Sequence, residues 1–333
     1  MEERIEVKIR DRGIDCFKGL LVIQMIFAHC LQFFVDLNST TLLYNISEFI
    51  NLTTFSGFIF AFGYSGYSAY IEKPYKIAMV KMVKNIIRLQ IAFYISSFAY
   101  SIFIEGLPFR LDKIMELLLI KRLAGWSEFL IAFSAVLLLL VIVQPLLKKN
   151  DIKLYIILCG VSMVITLLPY REVLPIIGIF LGGYGFAYFP AVPYFLYFII
   201  GVVFSRHRIK LNKIAAILSA LGTGIFIISY TLNSYSLPSR FPLSLAWLIG
   251  SMGFLYLYYL ASIMLCKNSG SEYLASIGEN SLFYLLLSNI LIFAVKGSRF
   301  YVLGAGYSVI FFVVLMAIIW YLMRLRSGVK GTR

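Results

Sequence analysis

Apolar runs of 16–25 residues, separated by short polar connections, recur from one end of this 333-residue chain to the other. Runs of that length are what α-helices need to cross the hydrocarbon of a bilayer, so the pattern predicts an all-α polytopic membrane protein. About ten transmembrane helices are expected, near 17–36, 53–71, 88–105, 126–147, 154–169, 190–205, 213–233, 241–265, 280–296 and 301–324. A further apolar stretch at 172–189, EVLPIIGIFLGGYGFAYF, is short and broken by Gly182, Gly183 and Gly185. It reads as a re-entrant or outer-leaflet segment, since irregular backbone at membrane depth is tolerated only against protein or a cavity. No hydrophilic stretch is long enough for a second domain, so residues 1–333 read as a single transmembrane domain.

Charge supplies an orientation. With 61% hydrophobic and only 14% charged residues the chain is no soluble domain, yet it carries a net charge of +14. The basic residues sit in short connections: Lys73, Lys76, Lys81, Lys84 and Arg88; Lys148, Lys149 and Lys153; Arg206, Arg208, Lys210 and Lys213; Arg324, Arg326, Lys330 and Arg333. If the chain starts inside, ten crossings put all of these, and 22 of the 30 Lys and Arg residues, on the cytoplasmic side. An eleventh crossing at 172–189 would move Arg206–Lys213 and the basic tail outside. The expectation is a multi-pass protein of the cell membrane with both termini cytoplasmic. Its charge answers to membrane lipids and topology; no nucleic acid is expected as a partner. Glu2, Glu3, Glu6, Asp11 and Asp15 make the first fifteen residues unlike a cleaved signal peptide, leaving the first span as the insertion signal. Cys16, Cys30, Cys159 and Cys266 are scattered, so neither a disulfide framework nor a metal site is expected.

The expected outer connections differ from one another. Residues 37–52 contain no Lys or Arg and carry N-x-S/T sequons at Asn38, Asn45 and Asn51. In 106–125, Arg110, Lys113, Lys121 and Arg122 flank the apolar run MELLLI, the pattern of an interfacial helix that anchors on the membrane or holds an anionic acceptor.

Few residues in the spans can do chemistry. His29, one of two histidines, stands in the first apolar helix, where a polar group is costly without a partner or a task. Lys18 lies eleven residues earlier, almost three turns, so the two share a face about 16 Å apart. A cation at the membrane edge and an imidazole near the midplane suit a long anionic cofactor gripped at one end. The plainer alternatives are a snorkelling anchor for Lys18 and a helix–helix hydrogen bond for His29. Glu128, at the outer end of its helix, stands level with His29 or slightly above and would orient the imidazole as a general base. Asp36 and Glu48 are the other carboxylates near a buried site. Asp36 is nearly two turns from His29 and would act on it only through water or substrate. Lys81, Lys84 and Arg88 follow i, i+3, i+7 spacing on a helix entering from the cytosol, placed to clamp phosphates or to mark topology. His207, between Arg206 and Arg208, reads as solvated. There is no G-x-S-x-G, P-loop or dinucleotide fingerprint.

Together these residues resemble acyltransferase family 3, whose superfamily includes proteins of the heparan-glucosaminide N-acetyltransferase type. Arg12–His29, with Ile14-Asp15, Lys18-Gly19 and His29, is similar to the family's opening element and fits its (R/K)-x10-H motif. Phe58–Tyr70, containing FGYSGY, resembles its Gly-rich, aromatic second helix, followed by the basic Lys81–Arg88 stretch. Leu274–Leu287, LASIGENSLFYLLL, resembles its late G-x-x-S helix start. Ser288 stands where the late helix often has a histidine, and the R-x-x-R is relaxed to Lys84-x-x-x-Arg88.

The resemblance implies transfer of an acyl group, usually acetyl, from cytosolic acetyl-CoA or another acyl-CoA to a glycan or lipid-linked sugar, a polysaccharide-modifying reaction. Lys18, Lys81, Lys84 and Arg88 would hold the cofactor phosphates. His29 would deprotonate an acceptor hydroxyl (or amine) or carry the acyl group itself. The competing expectation is a lipid-linked glycan flippase or exporter, which ten spans and a glycine-broken segment also suit.

Overall fold

The computed structural model describes residues 11–106, 111–123, 125–169, 172–183, 189–267, 271–298 and 304–330. They form fourteen α-helices: α1 (Arg12–Phe34), α2 (Thr41–Gly66), α3 (Tyr75–Phe103), α4 (Leu111–Leu118), α5 (Glu128–Lys148), α6 (Ile152–Ile165), α7 (Pro175–Leu181), α8 (Ala191–Arg206), α9 (Lys213–Leu232), α10 (Leu245–Gly250), α11 (Met252–Leu265), α12 (Ser271–Glu279), α13 (Ser281–Gly297) and α14 (Ala305–Lys330). Seven helices are long and apolar enough to cross a membrane: α1, α2 with the π-turn that follows it, α3, α5, α9, α10–α11 together, and α14. The pair α12–α13, bent by 80°, is an eighth if it counts as one span. The two other helices in the expected set of ten, α6 and α8, are apolar but only 14 and 16 residues long.

The first helix is the axis of the bundle, packed by α2, α11, α12, α13 and α14. Asp11 starts it by accepting the Gly13 amide at 2.9 Å, a side-chain cap on the free helix end. Two reciprocal glycine contacts bring backbones together around it. A Cβ on Gly63 would overlap the Phe198 carbonyl and one on Gly201 the Phe60 carbonyl, so α2 and α8 touch main chain to main chain. Gly19 lies in the same way against Leu274 O, and Gly278 against Asp15 O, pressing α12 onto α1. The first and last of the three stretches on which the family resemblance rests are therefore packed face to face.

Several helices begin earlier than their apolar runs. The second starts at Thr41 rather than near 53 and the third at Tyr75 rather than near 88. Asn45, Glu48 and Asn51 are thus helical, and so are Lys76, Lys81, Lys84 and Arg88. Hydropathy marks where a helix is apolar; the hydrogen-bonded helix runs on while its polar residues find partners or water. Within 172–189, α7 has seven residues, about 10 Å of helix, too short to cross. Residues 184–188 lie outside the described set.

The bundle has two unlike ends. At one, Tyr64 Oη donates to Asp11 at 2.5 Å, Lys148 Nζ to Lys73 O at 3.3 Å, and Arg206 to Leu147 O and Tyr155 Oη at 2.9 Å each. Gln144 Nε2 caps the carbonyls of Tyr70 and Lys73 at 3.2 Å each. This end gathers the termini of α1, α2, α3, α5, α6 and α8 that carry the basic clusters. The opposite end holds the last turn of α1, the first turns of α2 and α5, and the connection before α10.

Candidate functional site

At that second end lies a cavity of ≈ 330 Å³, lined chiefly by α1, α2 and the start of α5, with Phe189, Arg240 and Phe241 at its edge. The volume is at the lower end of the range for small-molecule sites, and a mainly aromatic wall with a few placed polar groups is the usual form of such a site.

His29 is buried at 9% exposure and faces this cavity. It is five residues from the end of α1, about 7 Å along the helix axis. Its Nδ1 lies 3.0 Å from Asn289 Oδ1, across from α13. The Asn289 amide nitrogen donates to Trp126 O at 3.3 Å and to Ser96 Oγ at 3.5 Å, which fixes the amide's orientation. Oδ1 can only accept, so Nδ1 carries the ring proton and Nε2 keeps its lone pair. Trp126 stands edge-on to the imidazole, with ring centroids 5.0 Å apart. The partner that orients His29 is therefore an amide, where a carboxylate was expected.

Glu128, the expected orienting carboxylate, is buried and lines the same cavity. It stands in the first turn of α5, at the positive end of the helix. Asp36 lies exposed beyond α1 and is not part of the cavity wall. Glu48 accepts from Asn51 Nδ2 at 2.9 Å, and Asn51 accepts from Gln32 at 3.3 Å. Asn51, read as a sequon in an outer loop, is thus a helical residue of the cavity wall.

The expected cofactor residues stand apart. Lys18 Nζ pairs with Asp15 at 2.6 Å, and Asp15 is almost wholly buried. Lys81 rests over the Tyr70 ring at 5.7 Å, while Lys84 and Arg88 are exposed on α3 beside Ile87 and Ile91. Lys18 belongs to the α1–α12 contact; α3 packs on α5 and α13. On the face joining Lys18 to His29, Val22 is fully buried. In the expected outer loop, Arg122 pairs with Glu105 at 2.6 Å and Lys113 with Glu116 at 3.0 Å; Arg110 lies outside the described residues. His207 is exposed just beyond α8, as expected of a solvated loop residue. Among the described residues no three His, Cys, Asp or Glu side chains gather as a metal site.

Three residues of this site escaped the sequence reading. Asn289 is a polar side chain in the apolar run SLFYLLLSNILIFAVKG, a signal that attention to Ser288 hid. Arg240 is one of the few cations on the side where basics are scarce. Gln32 lies one turn beyond His29. No family model, no curated protein and no solved structure matches the chain.

Proposed function

We propose that the protein is a membrane acyltransferase that moves an acyl group, acetyl in the simplest case, from acyl-CoA to a hydroxyl bound in the His29 cavity. The observation that carries this reading is the His29–Asn289 pair. An imidazole in a cavity wall, with Nδ1 bonded to an amide oxygen and Nε2 left as the lone-pair nitrogen, is arranged as a general base. His29 Nε2 takes the acceptor's proton as the alkoxide oxygen attacks the thioester carbonyl. A C–O bond forms, the C–S bond breaks, and the proton on Nε2 passes to the departing thiolate. Trp126 and the aromatic wall exclude water from the thioester, which would otherwise be hydrolysed.

In this reading the basic end faces the cytosol and the chain crosses ten times, with the seven long helices joined by the bent α12–α13 pair and the shorter α6 and α8. Both termini are cytosolic and the cavity opens on the other side. Lys18 marks the cytosolic mouth. Because Val22 is packed, acyl-CoA must part α1 from its neighbours to reach His29. Cysteines placed at Lys153 and Tyr235, both exposed, should label from opposite sides of sealed vesicles; labelling from one side defeats the topology.

A second reading, export of a lipid-linked glycan, draws on the 80° break between α12 and α13, since broken helices mark transport sites. Release of free CoA by the purified protein, given acetyl-CoA and sugar acceptors, separates the two. The acyltransferase releases CoA only when acceptor is present. An exporter releases none.

A further inference from the structure

The wall of the cavity holds two buried polar atoms whose bonding is incomplete, and their orientations are fixed by neighbours. Glu48 can only accept, so Asn51 turns Nδ2 toward it and presents Oδ1 to Gln32. Gln32 therefore directs Nε2 to Asn51 and to Ser47 Oγ at 2.8 Å, and its Oε1 is left buried with no hydrogen-bond partner. The Arg240 guanidinium packs against two rings, 5.4 Å from the centroid of Phe189 and 4.7 Å from that of Phe241. Stacking holds the guanidinium while its Nε, also buried, has no hydrogen-bond partner. Glu48, Glu128 and Tyr194 act on it through space. Of these, Glu48 already accepts from Asn51 Nδ2. A buried donor or acceptor without a partner costs stability, and it persists where a ligand completes it.

We infer that the cavity recognises an anionic oxygen group, carboxylate or phosphate, through Arg240, together with a hydroxyl or N–H of the same ligand through Gln32 Oε1. Arg240 supplies the donor and the charge; Gln32 supplies the acceptor that a hydroxyl needs. The inference rests on reading the cavity as the acceptor site, and it narrows that acceptor to an acidic polyol.

Calorimetric titration of the full-length protein in detergent, with glucose, glucuronate and glucose 6-phosphate as probes, tests it. At least one acid should bind about tenfold to a hundredfold more tightly than glucose, the range for a hydrogen bond to a charged group; the acid preferred tells carboxylate from phosphate. Arg240→Gln should erase that preference and leave glucose binding unchanged, Arg240→Lys should keep part of it, and Gln32→Leu should weaken all three probes alike. Acids bound no more tightly than glucose by the parent protein, no probe bound at millimolar concentration, or a preference that survives Arg240→Gln overturns the inference. His29→Ala should retain the preference. Acid preference without CoA release by the parent keeps this inference and sinks acyl transfer; CoA release without acid preference does the reverse.

Discussion

The two ends of the bundle use polar side chains in opposite ways. At the basic end most of them consume one another: Lys18 meets Asp15, Arg206 closes on Leu147 O, Lys148 O and Tyr155, and Gln144 caps the carbonyls after α2 with Nε2, though its Oε1 stays unbonded. At the cavity end polar residues are just as buried, and three of them line one cavity: Gln32 with Oε1 and Arg240 with Nε lacking a partner, and His29 with Nδ1 bonded to Asn289. Pairing of the first kind fastens helices. The second kind surrounds a cavity, which is where the proposed reading puts the acceptor.

The contrast is most easily broken at Lys18. Lys18→Ala removes the cation paired with the buried Asp15 carboxylate, a loss of about 3–5 kcal/mol for one partner of a buried pair. Folded yield in a detergent melting assay should fall sharply, and Asp15→Asn combined with Lys18→Met should recover most of it. If Lys18→Ala melts like the parent yet binds acyl-CoA weakly, the basic end is a ligand site too and the comparison fails.

Asn289→Ala comes next. Without its partner the imidazole can adopt either tautomer, so the acyl-transfer rate should drop, by less than the roughly 10²–10⁴-fold that removing a base costs. The effect should fall on kcat rather than KM, and Asn289→Gln should restore part of the rate. A variant that lost folded protein while its surviving fraction turned over normally would make Asn289 a packing residue.

Smallest of all should be Lys84→Ala and Arg88→Ala. Both side chains are exposed on α3, so melting should not change measurably. Acyl-CoA affinity is then the informative readout: a weakened Kd with intact folding recovers the phosphate clamp that their spacing suggested, and an unchanged Kd returns them to topology markers.

The fold was legible in the sequence to the extent that membrane helices announce themselves by apolar length. Seven helices were visible for that reason, and within 172–189 the described residues form only the seven-residue α7. Helix starts were misread where polar residues were taken for loop. In α2, Asn51 accepts from Gln32 of α1 and donates to Glu48, a pairing across helices that one-dimensional hydropathy does not contain. His29 was legible as a costly polar group in an apolar run. Its partner was not, since Asn289 is 260 positions away and only the packing of α13 on α1 brings them together. Spacing shows that Lys18 and His29 share a face of α1, but the 2.6 Å pairing of Lys18 with Asp15, one turn earlier, is a contact that only the folded helix shows.

The central claim, that His29 is kept as a base and not as a fastening, is tested most directly by comparing His29→Gln with His29→Ala in a CoA-release assay on purified protein. Glutamine retains a hydrogen-bonding group toward Asn289 but has no lone pair basic enough to take a proton at neutral pH. The account predicts that both variants fold and bind acyl-CoA, and that both lose transfer by about 10²–10⁴-fold. Transfer by His29→Gln near the parent rate, with His29→Ala poorly folded, would contradict it.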